Sequence, residues 1–361
     1  MTDDKHAPLS KEEWDDLKSN RAARKGLTAK SLYWFFHLYL EHYIEYETAP
    51  FQKELIAKVS DSSISQLAVM AFRDSGKSSI LTTAYPLWSI VGEQQKKFIL
   101  IVSLNQALAN NHLRNIAKAL EDSKLLRDDF WPYDFEENEA SQSSIKLPKF
   151  NAEILAVGRE QGFRGIRQGQ HRPDVIIADD IEDTSNTKYQ HSRDKNFQWY
   201  STELMTLGNE KTKYITIGNM VHYDAVIARL KYDMENNLRD GVFLEYPLVR
   251  NGVALWKARY PDKTAVKALE RRIGNPTVFQ REYMLKYVSD EKSPIKREDI
   301  CYYDKLEPLP RGAKERIIVG VDPAIAQTER ADSTAMIIIT ARGYGDDTIY
   351  YIHPNPVNRK M

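Results

Sequence analysis

The chain has 361 residues, with 51 Lys and Arg against 51 Asp and Glu and so no formal net charge at pH 7. That length allows two or three domains with proper cores, and the balanced charge excludes a uniformly basic nucleic-acid protein, so any DNA-facing surface must be a local patch. The only cysteine, Cys301, has no partner for an internal disulfide, and no apolar run approaches the ~20 residues of a membrane span. The amino-terminal MTDDKHAPLSKEEWDD lacks the order of a signal peptide, which predicts a soluble, intracellular protein with no transmembrane segment.

Residues 1–24 are charged and predict a mobile arm or a short helical lead-in. Leu27 to Tyr46 carries aromatics at helical spacing, best explained by core packing. Pro50-Phe51-Gln52 then precedes a helix expected over Lys53 to Val59. The Gln52 amide carries one donor and one acceptor group, the pair an adenine edge requires. Leu67 to Phe72 is an apolar run that predicts a buried strand, and Arg73-Asp74-Ser75-Gly76-Lys77-Ser78 turns from it into a helix whose N–H groups would face an anion. In the P-loop pattern a lysine reaches the β- and γ-phosphates and a hydroxyl holds Mg²⁺. Lys77 and Ser78 take those places, with Ala71 where the first glycine normally stands. The bland alternative is an ordinary strand-turn-helix with Lys77 in solvent.

Lys97 to Ser103 predicts a second buried strand, Leu104 to Leu120 a helix, Asp122 to Leu147 a surface excursion, and Asn151 to Val157 another strand. Gly158 to Pro173 is a glycine-rich loop carrying Arg159, Arg164, Arg167 and Arg172, suited to a phosphate or to DNA, or simply solvated. Val175 to Ala178 predicts a strand ending on Asp179 and Asp180, at the carboxyl edge where parallel sheets bind ligands. Asp179 would hold the Mg²⁺ shell and Asp180 would polarise the attacking water, with Glu182 as its rival; adjacent acids after a strand can also merely cap a helix. Thr187 to Leu207 predicts a long helix. Lys213 to Ile217 predicts a strand ending in Thr216-Ile217-Gly218-Asn219, placed to sense γ-phosphate. The alternation predicts an α/β P-loop NTPase with a mainly parallel sheet flanked by helices.

From about Pro50 to Asp347 the ordered set resembles the large terminase subunit of tailed bacteriophages. It comprises Pro50-Phe51-Gln52, Arg73 to Ser79, Phe163-Arg164-Gly165, Asp174 to Asp183, Thr216 to Asn219, His222-Tyr223-Asp224, and Leu255-Trp256 through Phe279-Gln280-Arg281-Glu282-Tyr283 to Tyr287. The resemblance implies an ATPase that drives DNA packaging, with ATP and Mg²⁺ as cofactors. Gln52 would contact adenine; Arg73, Ser75, Gly76, Lys77, Ser78 and Ser79 would line the nucleotide; Thr216 and Asn219 would couple hydrolysis to DNA movement. Arg164, with Arg73 and Arg167 next, would complete an ATP site. Implied partners are double-stranded DNA bound without sequence preference, a portal protein, the small terminase subunit and further copies of the chain, in the cytoplasm of a bacterial host.

The resemblance also implies a second, ribonuclease-H-like α/β domain cutting DNA with two divalent metal ions, whose first aspartate matches Asp322 at the end of the strand Arg316 to Val321. The family's later acids lie beyond Met361, and Asp346 and Asp347, in a turn, fit them poorly, so the domain is expected to be incomplete and inactive as a nuclease. The expected divisions are residues 1–46 for the arm and first helices, 47–250 for the ATPase, 251–312 for a lid and linker, and 313–361 for the cut-short nuclease. Two other readings compete. A helicase-like or repair ATPase would need a second motor domain; a non-catalytic remnant would serve as a DNA-binding or assembly module.

Overall fold

Side-chain caps divide the start of the chain into three helices, α1 (Lys11–Ser19), α2 (Arg21–Lys30) and α3 (Leu32–Tyr39), with Ser10, Asn20 and Ser31 accepting from the N–H groups of Glu13, Ala23 and Trp34. This computed structural model describes residues 10–130, 140–141, 143–162, 171–288, 301–306, 308–309, 312, 314–323, 334–343, 348–354 and 356–359. The single aromatic helix expected from Leu27 is broken at Ser31, whose extended backbone lets its hydroxyl cap α3. Of the two expectations for the start of the chain, a mobile arm or a helical lead-in, the residues from 10 onward take the helical one, held because Arg24 is buried and its guanidinium bonds both oxygens of Asp129 at 2.6 Å. Helix α4 (Pro50–Ser60) starts with proline, where a missing N–H costs nothing.

Strand β1 (Gln66–Ala71) leads into the P-loop, and the helix that begins at Lys77 widens into a π turn over Ser79–Ala84 before α5 (Tyr85–Val91). Pro86 accounts for the widening: it has no N–H and its ring would collide with the carbonyl four residues back, which the wider turn relieves. Next come β2 (Phe98–Ser103), α6 (Gln106–Asp122), α7 (Lys124–Phe130), β3 (Ala140–Ser141), β4 (Ser144–Leu147), β5 (Ala152–Gly158) and β6 (Val175–Asp179). They are followed by α8 (Gln190–Trp199), β7 (Lys213–Gly218), α9 (Val226–Glu235) and β8 (Val242–Tyr246). A hairpin of β9 (Val249–Arg250) and β10 (Val253–Ala254) precedes α10 (Lys263–Ile273) and α11 (Pro276–Glu282). The stretch 122–147, expected on the surface, supplies α7 and the edge hairpin β3-β4.

The sheet runs β3-β4-β5-β2-β6-β7-β1-β8, parallel from β5 to β8, with the β3-β4 hairpin antiparallel on one edge. Helices cover both faces, so β1, β2, β6 and β7 are buried nearly throughout and mainly apolar, with Lys213 and Thr216 as polar exceptions in β7. The amino-terminal unit therefore has the P-loop NTPase fold. The topology sets β7 between β1 and β6, with Met70 opposite Gly218 and Asp179 opposite Ile217, so three strand ends meet at one edge.

The chain divides into two compact units, Met1–Glu291 and Lys292–Met361. Within the first, the segment expected as a lid lies on the main core: Trp256, Tyr260, Leu269, Phe279 and Tyr283 are buried in it, and the Trp256 indole donates to the Glu47 carbonyl at 2.8 Å. The second unit is an antiparallel sheet in which β12 (Thr334–Gly343) pairs with β11 (Lys314–Asp322), β13 (Ile349–Ile352) and β14 (Val357–Arg359). Asp322 stands exposed at the end of β11; Asp332, Asp346 and Asp347 lie outside the described residues. Among the described residues, no helix is long and apolar enough to cross a membrane.

Candidate nucleotide site

The P-loop is shaped by two left-handed residues, Asp74 at φ 62° and Gly76 at φ 82°. The positive φ favours glycine at 76, and a Cβ there would lie 3.0 Å from the Gln52 amide nitrogen, close enough that Gln52 would have to shift. That nitrogen donates to the Ser75 carbonyl at 2.8 Å, while the Gln52 oxygen accepts from the Ala49 N–H at 2.9 Å. Gln52 thus braces the loop from α4, with both ends of its amide engaged on the chain itself. Lys77 is buried and donates to the Ala71 carbonyl at 3.1 Å and to the Asn219 side-chain oxygen at 3.3 Å, so it folds back across the loop mouth.

From β6, Asp179 meets this loop. Its Oδ2 accepts from the Ser78 hydroxyl at 3.3 Å and lies 3.6 Å from His112 Nε2, while its Oδ1 is buried without a hydrogen-bond partner. Burial, only partly offset by Lys77 and Ser78, pushes Asp179 up to about 6. A buried carboxylate oxygen without a hydrogen-bond partner is suited to a cation. Ser75 Oγ is likewise buried and unpartnered, so the cradle offers free polar atoms beside the lysine. Among the described residues, no group of three His, Cys, Asp or Glu could hold a metal. The Ser78 hydroxyl and Asp179 are the oxygens that could hold a Mg²⁺ of the phosphate-bridging kind, which takes one or two protein oxygens and finds the rest in phosphate and water.

Asp180 follows in the left-handed region at φ 47°, its N–H held by the Ile217 carbonyl at 3.1 Å. The turn leaves its side chain reaching solvent at the sheet edge. Protein crowding around it and the Asp179 charge raise it to about 6. Glu182 is different. Its oxygens accept from Asn196 at 2.8 Å and from the Val226 N–H at 2.7 Å, which caps the first turn of α9. Both Glu182 oxygens are thus engaged on the chain itself, whereas Asp180 has its side chain turned to the sheet edge.

Thr216 and Asn219 part company. The Thr216 hydroxyl pairs with the buried Tyr200 hydroxyl at 2.8 Å, on the sheet face packed against Leu204, so it does not turn toward the phosphate cradle. Asn219 does: besides accepting from Lys77, it donates to Glu282 Oε2 at 3.0 Å. Glu282 ends α11, and its carbonyl accepts the Arg73 N–H at 2.8 Å. Arg73 itself is exposed, 4.0 Å from the Glu282 carboxylate. Arg259 reaches the other side of the loop, donating to the Asp74 carbonyl at 2.6 Å. Ser79 opens the π turn.

Glu282, Arg259 and His112 had no assigned role in the sequence reading. His112 had one available signal, a polar residue in the Ala109, Leu113, Ile116 stripe of α6. Glu282 stood only within the motif Phe279-Gln280-Arg281-Glu282-Tyr283 and Arg259 had no signal, because their place depends on a segment folding back over the loop.

In the arginine-rich loop, Arg159 bonds the Ile181 carbonyl and Asn196, both at 2.9 Å, and Arg172 donates to the carbonyls of Thr206 and Gly208 at 2.7 and 3.0 Å. Both are engaged in holding the fold. Arg164 and Arg167 lie outside the described residues.

A scan against protein-family models and a search of curated proteins give no match. Among solved structures, the chain is similar to the HK97 bacteriophage large terminase, at 17% identity and a TM-score of 0.47, over 84% of this chain and 62% of that one. It is similar to the large terminase of a thermophilic bacteriophage in complex with ADP, at 9% identity and 0.44, over 84% and 68%. It is also similar to a mutant ATPase domain of a Thermus phage large terminase, at 12% identity and 0.41, over 68% and 97%. The chain thus spans 62% of the length of the HK97 protein.

Proposed function

We propose that this chain hydrolyses ATP as the motor part of a large terminase, the subunit that drives viral DNA into a procapsid. The reading is carried by one observation: the P-loop lysine, its following hydroxyl and the β6 aspartate converge at one sheet edge, with Ser78 Oγ 3.3 Å from Asp179 Oδ2. Ser78 and Asp179 would hold Mg²⁺, which when bound neutralises phosphate charge. Lys77 would leave the Ala71 carbonyl and Asn219 for the β- and γ-phosphates, and Asp180 would hold and orient the attacking water. Positive charge at the transferred phosphate would come from Arg164, with Arg73 and Arg167 as alternatives. Gln52 acts through the loop it braces, with one amide N–H left for adenine. Double-stranded DNA bound through its backbone, a portal protein, a small subunit and further copies of the chain follow as partners from the resemblance of the ordered motifs.

The helicase-like reading is disfavoured because the second unit's described strands are all antiparallel, unlike the parallel sheet of a second motor domain. The nuclease reading rests on Asp322 alone among the described residues, and we propose that this chain does not cut DNA by itself.

Steady-state ATP hydrolysis by the purified chain tests the proposal against Lys77→Ala and Asp179→Asn. Loss of turnover by roughly a hundredfold or more in both is expected; equal turnover in all three proteins rejects the site. DNA affinity should fall steeply with salt and ignore sequence.

A further inference from the structure

The sheet has a second cavity at the opposite edge, where the parallel strands begin. It has a volume of about 320 Å³ and is lined by residues just before or at the starts of β1, β2 and β7, including Ser62, Ser65, Lys96, Lys211 and Lys213, over a floor formed by Tyr85. Parallel sheets ordinarily bind ligands at the other edge, so the ATP site does not account for this cavity.

Its charge is lopsided. Three lysines face it against one acid, Glu210 at the exposed rim. Lys213 is the first residue of β7 and is buried, donating one hydrogen bond, to the Asp61 carbonyl at 2.6 Å. An ammonium has three donors, so further ones remain for a ligand. The Asp61 carboxylate is occupied in its own turn, where one oxygen accepts from the Ser63 N–H at 2.9 Å and hydroxyl at 2.6 Å. Burial, reinforced by the charge of Lys96, depresses Lys213 to about 8, with Asp61 acting against it. Burying an ammonium with so little compensation is costly, and an anion in the cavity would offset that cost. The Tyr85 hydroxyl lies buried at the base, 3.5 Å from the Gln94 side-chain oxygen, and gives the floor a polar group.

We propose that this cavity is a second anion site, for a phosphate group held by Lys213 and Lys96, with hydroxyls of Ser62 and Ser65 and room beside it for a body of up to mononucleotide size. The volume is at the lower end of small-ligand pockets, which suits a phosphorylated small molecule better than a large one. Phosphate could reach the site free, on a nucleotide, or as part of a DNA backbone. The site is independent of the motor reading, since none of its residues belongs to the P-loop edge.

Equilibrium dialysis of labelled inorganic phosphate and of labelled AMP against the Lys77→Ala chain, which weakens phosphate capture at the P-loop and leaves this cavity intact, tests the site. Saturable binding of one equivalent of either probe is expected, weakened at least tenfold by Lys213→Met and by Lys96→Gln. Melting temperatures of both variants are recorded alongside; Lys96 is partly exposed, so its variant reads the site even where Lys213→Met alters folding. Competition by a short DNA duplex, lost in the same variants, assigns the phosphate to DNA; failure of the duplex to compete assigns it to a small molecule. No saturable binding of either probe, or binding equal in the parent and in folded Lys96→Gln, overturns the proposal.

Discussion

Lys77 and Asn219 are hydrogen-bonded across the mouth of the loop at 3.3 Å, and the same asparagine donates to Glu282 at 3.0 Å. A phosphate that recruits the lysine must therefore compete with a chain of contacts ending in α11. Asn219→Ala removes the link between the lysine and α11. A hydrogen bond to a charged group contributes roughly 1.5–3 kcal/mol, so releasing the lysine is expected to tighten ATP binding about ten- to a hundredfold while the chain stays folded. Glu282→Gln retains an acceptor for Asn219 and should change affinity less. Nucleotide titrations of the three proteins decide this; unchanged or weaker affinity in Asn219→Ala would remove Asn219 from the competition.

Asp180 and Glu182 are separated by one residue and by their surroundings. Asp180→Asn is expected to lower turnover by ~10²–10⁴-fold with nucleotide binding retained, the range for a lost general base. Glu182→Gln should instead lower stability, by about 1–2 kcal/mol for one buried acceptor replaced by a donor, with turnover per folded molecule within a few-fold of the parent. Paired ATPase and melting measurements separate the two; the reverse pattern would exchange their roles.

Acid sensitivity should trace in part to Asp224. Against the cost of its partial burial, hydrogen bonds from Arg229 and Arg193 hold it at about 2, below its ordinary 3.8. A depressed carboxylate contributes stability that is complete above its unfolded pKa and disappears as pH falls through the folded one, here between about pH 4 and pH 2. Asp224→Asn is expected to cost about 1–2 kcal/mol at pH 7 after allowing for partial solvent screening, and much less near pH 2.5. Urea melts at both values check it, and a gap that does not narrow in acid counts against the pairing.

The buried trio of Arg24, Tyr39 and Asp129 ties α2, α3 and α7 together, with the Tyr39 hydroxyl donating to Asp129 at 2.6 Å. Asp129→Asn leaves a buried guanidinium unneutralised and should cost ~3–5 kcal/mol. Tyr39→Phe should cost about 1 kcal/mol. Chemical denaturation of the two variants reads the ranking directly, and near-equal effects would argue that Arg24 is hydrated rather than paired.

Legibility followed the range of the interactions involved. Local pattern was enough for the strands β1, β2, β6 and β7, because a strand covered on both faces is mainly apolar, and enough for the turn at Gly76, because positive φ favours glycine. It also brought Lys77, Ser78 and Asp179 forward as one cradle. What depended on tertiary packing was different in kind. Glu182 and Asp180 look alike in a string of acids, and only the arrival of Asn196 and α9 separates them. Thr216 and Asn219 share one short motif, yet the alternation of side chains along β7 turns the threonine under the sheet while the asparagine, past the strand end, is free to meet Lys77. Glu282 and Lys213 had no local signature of their place, since a carboxylate at the end of a helix and a lysine at the start of a strand acquire meaning only from what the folded chain sets beside them.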